Sequence, residues 1–239
     1  MMPFFFDPFM ILLIPPILLA YYANSKVKST FEQYSERLAE SGVTGAEAAS
    51  RLLEREGLND VRIESTEGKL SDHYDPRSKV LRLSRPVYGS NSLAALGIAA
   101  HETGHALQDS GGYLPLKLRS GIYPVAAFGN KTGPVLFMIG LMMMIFTGAT
   151  EGMAQILAQL GILLFAGGTV FTLITLPVEF NASRRAMALL TENGIISARE
   201  RDDTKKVLNA AALTYVAAAL MMVMMLARYI LLFMSLRRR

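Results

Sequence analysis

Long uncharged runs alternate with charged stretches along this chain, and the two kinds of segment predict different surroundings. Residues 4–23 (FFFDPFMILLIPPILLAYYA) are nearly all apolar and close on Tyr21 and Tyr22, side chains suited to a lipid–water interface. Asp7 and the Pro15–Pro16 pair interrupt this run. Two prolines remove backbone donors, so the segment either kinks as it spans or folds back as a shallow re-entrant element. Residues 133–150 and 152–178 carry no charge, and each is long enough to cross a bilayer. Residues 207–234 are equally apolar, broken only by Arg228. The pattern predicts about four transmembrane segments.

Between the first two apolar runs the texture changes. Residues 24–60 read as amphipathic helix, with Thr44 and Glu47 at capping-box spacing, Leu52 and Leu53 on the apolar face, and Gly57 as a stop. Residues 61–64 and 79–84 (KVLRLS) read as short strands, the second alternating apolar with basic, and Asp75–Pro76 marks a turn between them. Ser90 and Ser92 offer N-caps for a helix running to about Asp109. The chain thus divides into an N-terminal membrane anchor (1–23), a polar core (24–120), a transmembrane hairpin (121–178), a returning segment (179–206) and a C-terminal transmembrane segment (207–239). The expected fold is a mainly α membrane protein with a small β element.

Composition sharpens this picture. Hydrophobic residues make up 51% and charged residues 18%, an average that conceals a polar domain and a lipid-facing part. There is no cysteine, which excludes disulfides and thiolate metal ligands. Many of the 14 methionines sit in the apolar runs, where flexible packing explains them better than a methionine metal site does. The net charge of +4 comes from basic residues that flank the apolar runs, and no basic helix is interleaved with aromatics, so nucleic acid is not an expected partner. Lys26, Lys117, Arg184, Arg201 and Lys205 fall on one side of the predicted spans and Arg237, Arg238 and Arg239 on the other. The larger basic group places the polar core in the cytoplasm. The N-terminus lacks the positive leader of a cleavable signal peptide, and reads as a retained anchor in the lipid bilayer.

Chemistry concentrates in His101-Glu102-Thr103-Gly104-His105, which holds two of the three histidines. Residues four apart share a helix face, so both imidazoles reach one ion, while Glu102 is turned by about 100° towards a bound water. Two imidazoles and a carboxylate suit Zn²⁺ with one position left for water, and zinc lowers that water's pKa to about 7 so that Glu102 can take its proton. Chance spacing of these residue types gives about 0.002 matches in such a chain. Gly104 costs about 1 kcal/mol against alanine inside a helix, which suggests a close neighbour there.

A third ligand is required. The metzincin pattern fails, because Gln108 and Gly111 stand where glycine and histidine belong. His73 reads as an exposed loop histidine before any role beside the site. Asp109, on the face of His105, either orients an imidazole or ends the helix near Gly111 and Gly112, and the glycines favour the second. Glu179, after Pro177 at the end of an apolar run, is either compensated by a metal ion or sits at a helix N-terminus against the dipole. The residues alone leave that choice open.

The run SLAALGIAAHETGHALQ, the apolar spans and PVEFNASRRA together resemble the bacterial YugP-type neutral zinc metallopeptidases over nearly the whole length. The paired HETGH and EFNAS motifs are also similar to the gluzincin pattern of HtpX and the CAAX prenyl proteases. The resemblance implies a zincin-like catalytic core, one zinc ion, a protein or peptide substrate, and Glu179 as the third ligand beside His101 and His105. Many gluzincins carry an acidic residue four positions after that glutamate to support the first histidine, and here Ser183 takes its place, with Asn181 nearby as a helper. The family also sets a strand beside the motif helix where an extended substrate pairs, which maps onto residues 79–84. Two other readings compete: a site-2-type intramembrane protease, which lacks its Leu-Asp-Gly here, and a metal-binding membrane scaffold without catalysis.

Overall fold

The computed structural model describes residues 7–68, 71–148 and 151–237. Residues 4–6 of the first apolar run, residues 149–150 of the second, and Arg238 and Arg239 lie outside the described residues. The chain forms two compact units, one of residues 1–22, 118–176 and 215–239, the other of residues 23–117 and 177–214.

Four long helices thread the first unit. A 3-10 turn (Pro8–Leu13) leads into α1 (Ile14–Ser35), and α5 (Leu114–Thr147), α6 (Met153–Glu192) and α7 (Arg201–Arg237) follow later in the chain. All four helical stretches are long and apolar enough to cross a membrane. Pro8–Ser35 is helical throughout and long and apolar enough to cross, the geometry of the spanning alternative for the first run. Pro15 and Pro16 occupy the first turn of α1, where an α-helix leaves its N–H groups without intrahelical partners. Within this unit Phe137, Phe165 and Tyr229 pack together, the Phe137 and Tyr229 rings stacking at 4.3 Å. Gly133 and Gly161 let the backbones of α5 and α6 approach, since a Cβ on either would meet main-chain atoms of the other helix. Asp7 caps the 3-10 turn through Phe9 N–H at 3.0 Å and pairs with Arg228, whose Nε donates to it at 3.0 Å. The two charges that interrupt separate apolar runs therefore compensate each other.

The second unit is built around α4 (Leu93–Ser110), capped by Ser92 through Ala95 N–H at 3.2 Å. The capping box of α2 (Gly45–Arg55) forms as the spacing predicts, Thr44 and Glu47 each bonding the other's N–H. Between them β1 (Arg62–Thr66), β2 (His73–Asp75) and β3 (Val80–Ser84) make a three-stranded sheet in the order β1-β3-β2, and a short α3 (Arg85–Tyr88) follows. β3 pairs parallel with β1 and antiparallel with β2. That arrangement corrects the substrate-strand expectation: β3, at residues 80–84, is the central strand with both edges paired, so no peptide can add to it. β2, which lies in the turn-rich stretch, is an edge strand instead.

Helix α4 is apolar on most of its circumference because it is packed from two directions. Leu93, Leu96 and Ala100 join Leu52, Leu190 and Leu208 in one core, while Ala95, Ala99 and Ala106 meet Leu81, Leu83 and Val87 of the sheet side in another. Each fully buried leucine contributes about 1.5–3 kcal/mol. Polar bonds close the unit elsewhere: Asp203 accepts from Tyr34 Oη at 3.1 Å and from Lys206 Nζ at 2.8 Å, and pairs with Arg37.

Candidate metal centre

Helices α4 and α6 bring the site together. Gly104 permits their approach, since a Cβ there would stand 2.7 Å from the Ala182 carbonyl oxygen. On α4, His101 and His105 are one turn apart, with ring centroids 4.8 Å apart and planes at 85°. On α6, Glu179 Oε2 lies 3.2 Å from His101 Nε2 and 3.6 Å from His105 Nε2. One ligand atom from each of the three falls within 4.8 Å of the others. Glu179 is only 2% exposed.

Pro177 does not end the helix. α6 runs unbroken through it to Glu192, so Glu179 is a mid-helix residue and the helix-dipole reading of its carboxylate is corrected. The missing proline N–H is tolerated inside a 40-residue helix held by packing along its length.

Both imidazoles are held from behind by their Nδ1 atoms. Ser183 Oγ is 3.1 Å from His101 Nδ1, in the place of the acidic partner seen in related patterns. Gln108 Oε1 is 3.0 Å from His105 Nδ1, so that nitrogen donates and the ring is turned with Nε2 towards Glu179. Gln108, fully buried, donates onward from Nε2 to Val178 O at 2.8 Å and to Asn181 Oδ1 at 2.9 Å. Arg185 Nε donates to the same Asn181 oxygen at 2.9 Å. Asn181 is therefore joined to His105 by a hydrogen-bond chain through Gln108. Gln108 itself was not foreseen, although its position three residues after His105 puts it on the same helix face.

Glu102 is 8% exposed, and its Oε2 accepts the Tyr74 N–H at 3.0 Å, tying β2 to α4. Among the described residues Asp109 bonds no imidazole. Its carboxylate accepts from Tyr74 Oη at 2.9 Å and Lys79 Nζ at 2.8 Å, which fastens the sheet to the end of α4, while the helix stops one residue later. His73 is exposed on β2, its Nδ1 2.8 Å from Ser71 O, and it is not one of the converging ligands. Burial pushes the His105 pKa down, but hydrogen bonding to Glu179 and the charges of Glu102 and Glu179 outweigh it and hold the imidazole above its ordinary value. Burial, then Asp109, raises the Tyr74 phenol, and Asp109 raises Lys79.

His101, His105 and Glu179 could hold a metal ion, and two nitrogens with one carboxylate oxygen are a donor set that suits zinc. The Gln108 contact, which turns His105 Nε2 into the cluster, fits the same use. The family whose description is "Putative neutral zinc metallopeptidase" matches residues 9–234. The chain belongs to this family. It is also 46% identical over 227 residues to the Bacillus subtilis (strain 168) protein named "Putative membrane protease YugP", covering 95% of this chain and 97% of that protein. No solved structure matches. The YugP-type resemblance of the paired motifs is thereby borne out, and with its four apolar helices this family member is a membrane protein.

Proposed function

We propose that this protein hydrolyses peptide bonds at a membrane surface, with one zinc ion held by His101, His105 and Glu179 and proton transfer carried by Glu102. The observation that carries the reading is the convergence of those three ligand atoms with both imidazole Nδ1 atoms held from behind. When bound, zinc supplies Lewis acidity, which polarises a peptide carbonyl and acidifies water.

The chain's own groups do the rest. Gln108 and Ser183 orient the two rings so that no ligand reorganises during turnover. Tyr74 N–H fixes one oxygen of Glu102, leaving Oε1 to accept a proton from the attacking water and return it to the departing amine. An extended substrate would lie along β2, the edge strand next to the motif helix. Membrane-proximal protein segments are the substrates this arrangement favours, because Glu179 follows an uncharged run of α6 by a single residue. The motif helix itself is not among the four candidate spans, which argues against a site-2-type enzyme.

Purified wild type and Glu102→Gln, assayed for zinc content and for cleavage of a broad peptide set, test the reading. Equal zinc with cleavage lost only in the variant supports it, and zinc binding with no cleavage by either points to a scaffold. The basic flanks support a cytoplasmic catalytic side. Glu54→Cys in this cysteine-free chain, probed with a membrane-impermeant maleimide on intact cells, should stay unlabelled.

A further inference from the structure

A groove of about 570 Å³ opens between the last turns of α6 and the first turns of α7, outside the metal centre's ligands. Its volume is within the roughly 300–1,000 Å³ range of small-molecule sites. Arg184 from α6 and Arg201 and Lys205 from α7 line it, with Glu192 as the opposing anion. None of the three cations makes an ion pair or a side-chain hydrogen bond among the described residues. Phe180, Met187, Leu208 and Ala212 supply apolar wall.

The order of these residues along the helices is informative. On α6, Phe180 lies nearest the uncharged run that ends at Val178, and Arg184 is about 9 Å past that end at roughly 1.5 Å per residue. On α7, Lys205 and Arg201 precede the apolar run starting at Val207 by about 3 and 9 Å, while Leu208 and Ala212 lie inside that run. Both helices thus carry apolar wall nearest their uncharged runs and unpaired cations beyond it, with Met187 a further apolar contact past Arg184. Charge and polarity change along one groove as they change along one lipid molecule, from acyl chain to phosphate.

We propose that this groove binds an anionic phospholipid, its phosphate between Arg184, Arg201 and Lys205 and the start of an acyl chain on Phe180, Leu208 and Ala212. Ser183, whose hydroxyl meets His101 Nδ1, also lines the groove, so an occupying lipid lies beside a group that orients the metal centre. The proposal does not depend on the peptidase reading.

Native mass spectrometry of the full chain in detergent tests it, titrating phosphatidylglycerol against phosphatidylcholine of the same acyl chains. Phosphatidylglycerol should be retained at least tenfold more tightly. The Arg201→Gln/Lys205→Gln double variant should lose most of that preference, and a Lys26→Gln/Lys28→Gln control should keep it. Should the double variant aggregate, Arg184→Gln on the facing helix reads the same loss, about fivefold. Equal retention of both lipids, or an equal loss in the control, overturns the proposal in favour of diffuse surface attraction. Glycerol phosphate binding as tightly as the lipid overturns it in favour of a soluble phosphate ligand.

Discussion

Gln108 and His105 form a single unit on α4: the glutamine carbonyl holds the histidine Nδ1 at 3.0 Å while its amide nitrogen reaches across to α6 at Val178 O and Asn181 Oδ1. One side chain thus orients a ring and fastens the two helices that carry the three candidate ligands. Because the glutamine is fully buried, the groups it bonds are shielded from solvent and lose a partner when it is removed.

Gln108→Leu should therefore weaken zinc binding by about 10–100-fold and cost about 1–3 kcal/mol of stability. Gln108→Glu keeps the acceptor for His105 and loses the donors, so it should retain more zinc affinity than the leucine variant. Competition with a fluorescent zinc chelator measures both. Unchanged affinity in the leucine variant would remove Gln108 from the site.

Ser183 invites the opposite experiment. Its hydroxyl, 3.1 Å from His101 Nδ1, is a neutral partner, and charge-assisted bonds are roughly twice as strong. Ser183→Asp should tighten zinc binding, whereas Ser183→Ala should loosen it by about tenfold or more. Equal affinities for all three proteins would show that His101 is positioned by its helix alone.

The contrast between these two residues shows what local pattern can and cannot reveal. Histidines four apart with a glutamate between them carry their geometry in their spacing, and so do the Thr44–Glu47 box and the Ser92 cap. Uncharged runs announce spans because length and polarity are all a bilayer reads. β2 was invisible, since three residues in a turn-rich stretch are strand only through pairing with β3 and the bond from Tyr74 to Glu102. Pro177 suggested a helix boundary that tertiary packing overrides. Asp109 was open between two local roles, yet its carboxylate is taken by Tyr74 and Lys79 about thirty positions away. Glu179 needed the family resemblance, because a ligand carboxylate and a helix-start carboxylate look alike in a single sequence.

Gly104→Ala should separate α4 from α6, because the added methyl would stand 2.7 Å from the Ala182 carbonyl oxygen, which belongs to helix backbone and cannot turn aside. Overpacking of this kind costs about 1–3 kcal/mol. The expected outcome is a lower Tm in detergent together with weaker zinc binding, since Glu179 moves away with α6. A rise in Tm, as helix propensity alone would give, would show that the helices do not meet at Gly104.

Asp72, which bonds Ser84 and is not one of the converging ligands, gives the chain a pH dependence of its own. Its carboxylate accepts the Ser84 N–H at 2.7 Å and the Ser84 hydroxyl at 3.0 Å, yet burial outweighs those bonds and raises its pKa above the ordinary 3.8. A pKa raised by folding means that the native state holds the proton more tightly than the unfolded chain does. The stabilising contribution is therefore full below about 3.8 and lost as pH rises through the folded value, so at neutral pH the ionised group costs stability. An asparagine in its place would keep an acceptor for the Ser84 N–H and add a donor for its hydroxyl without the charge. Asp72→Asn should match or exceed wild type in Tm at about pH 8 and show a flatter Tm profile down to about pH 4. A variant less stable at both ends, with the wild-type slope intact, would mean that the Ser84 bonds outweigh burial and that Asp72 is ionised at little cost.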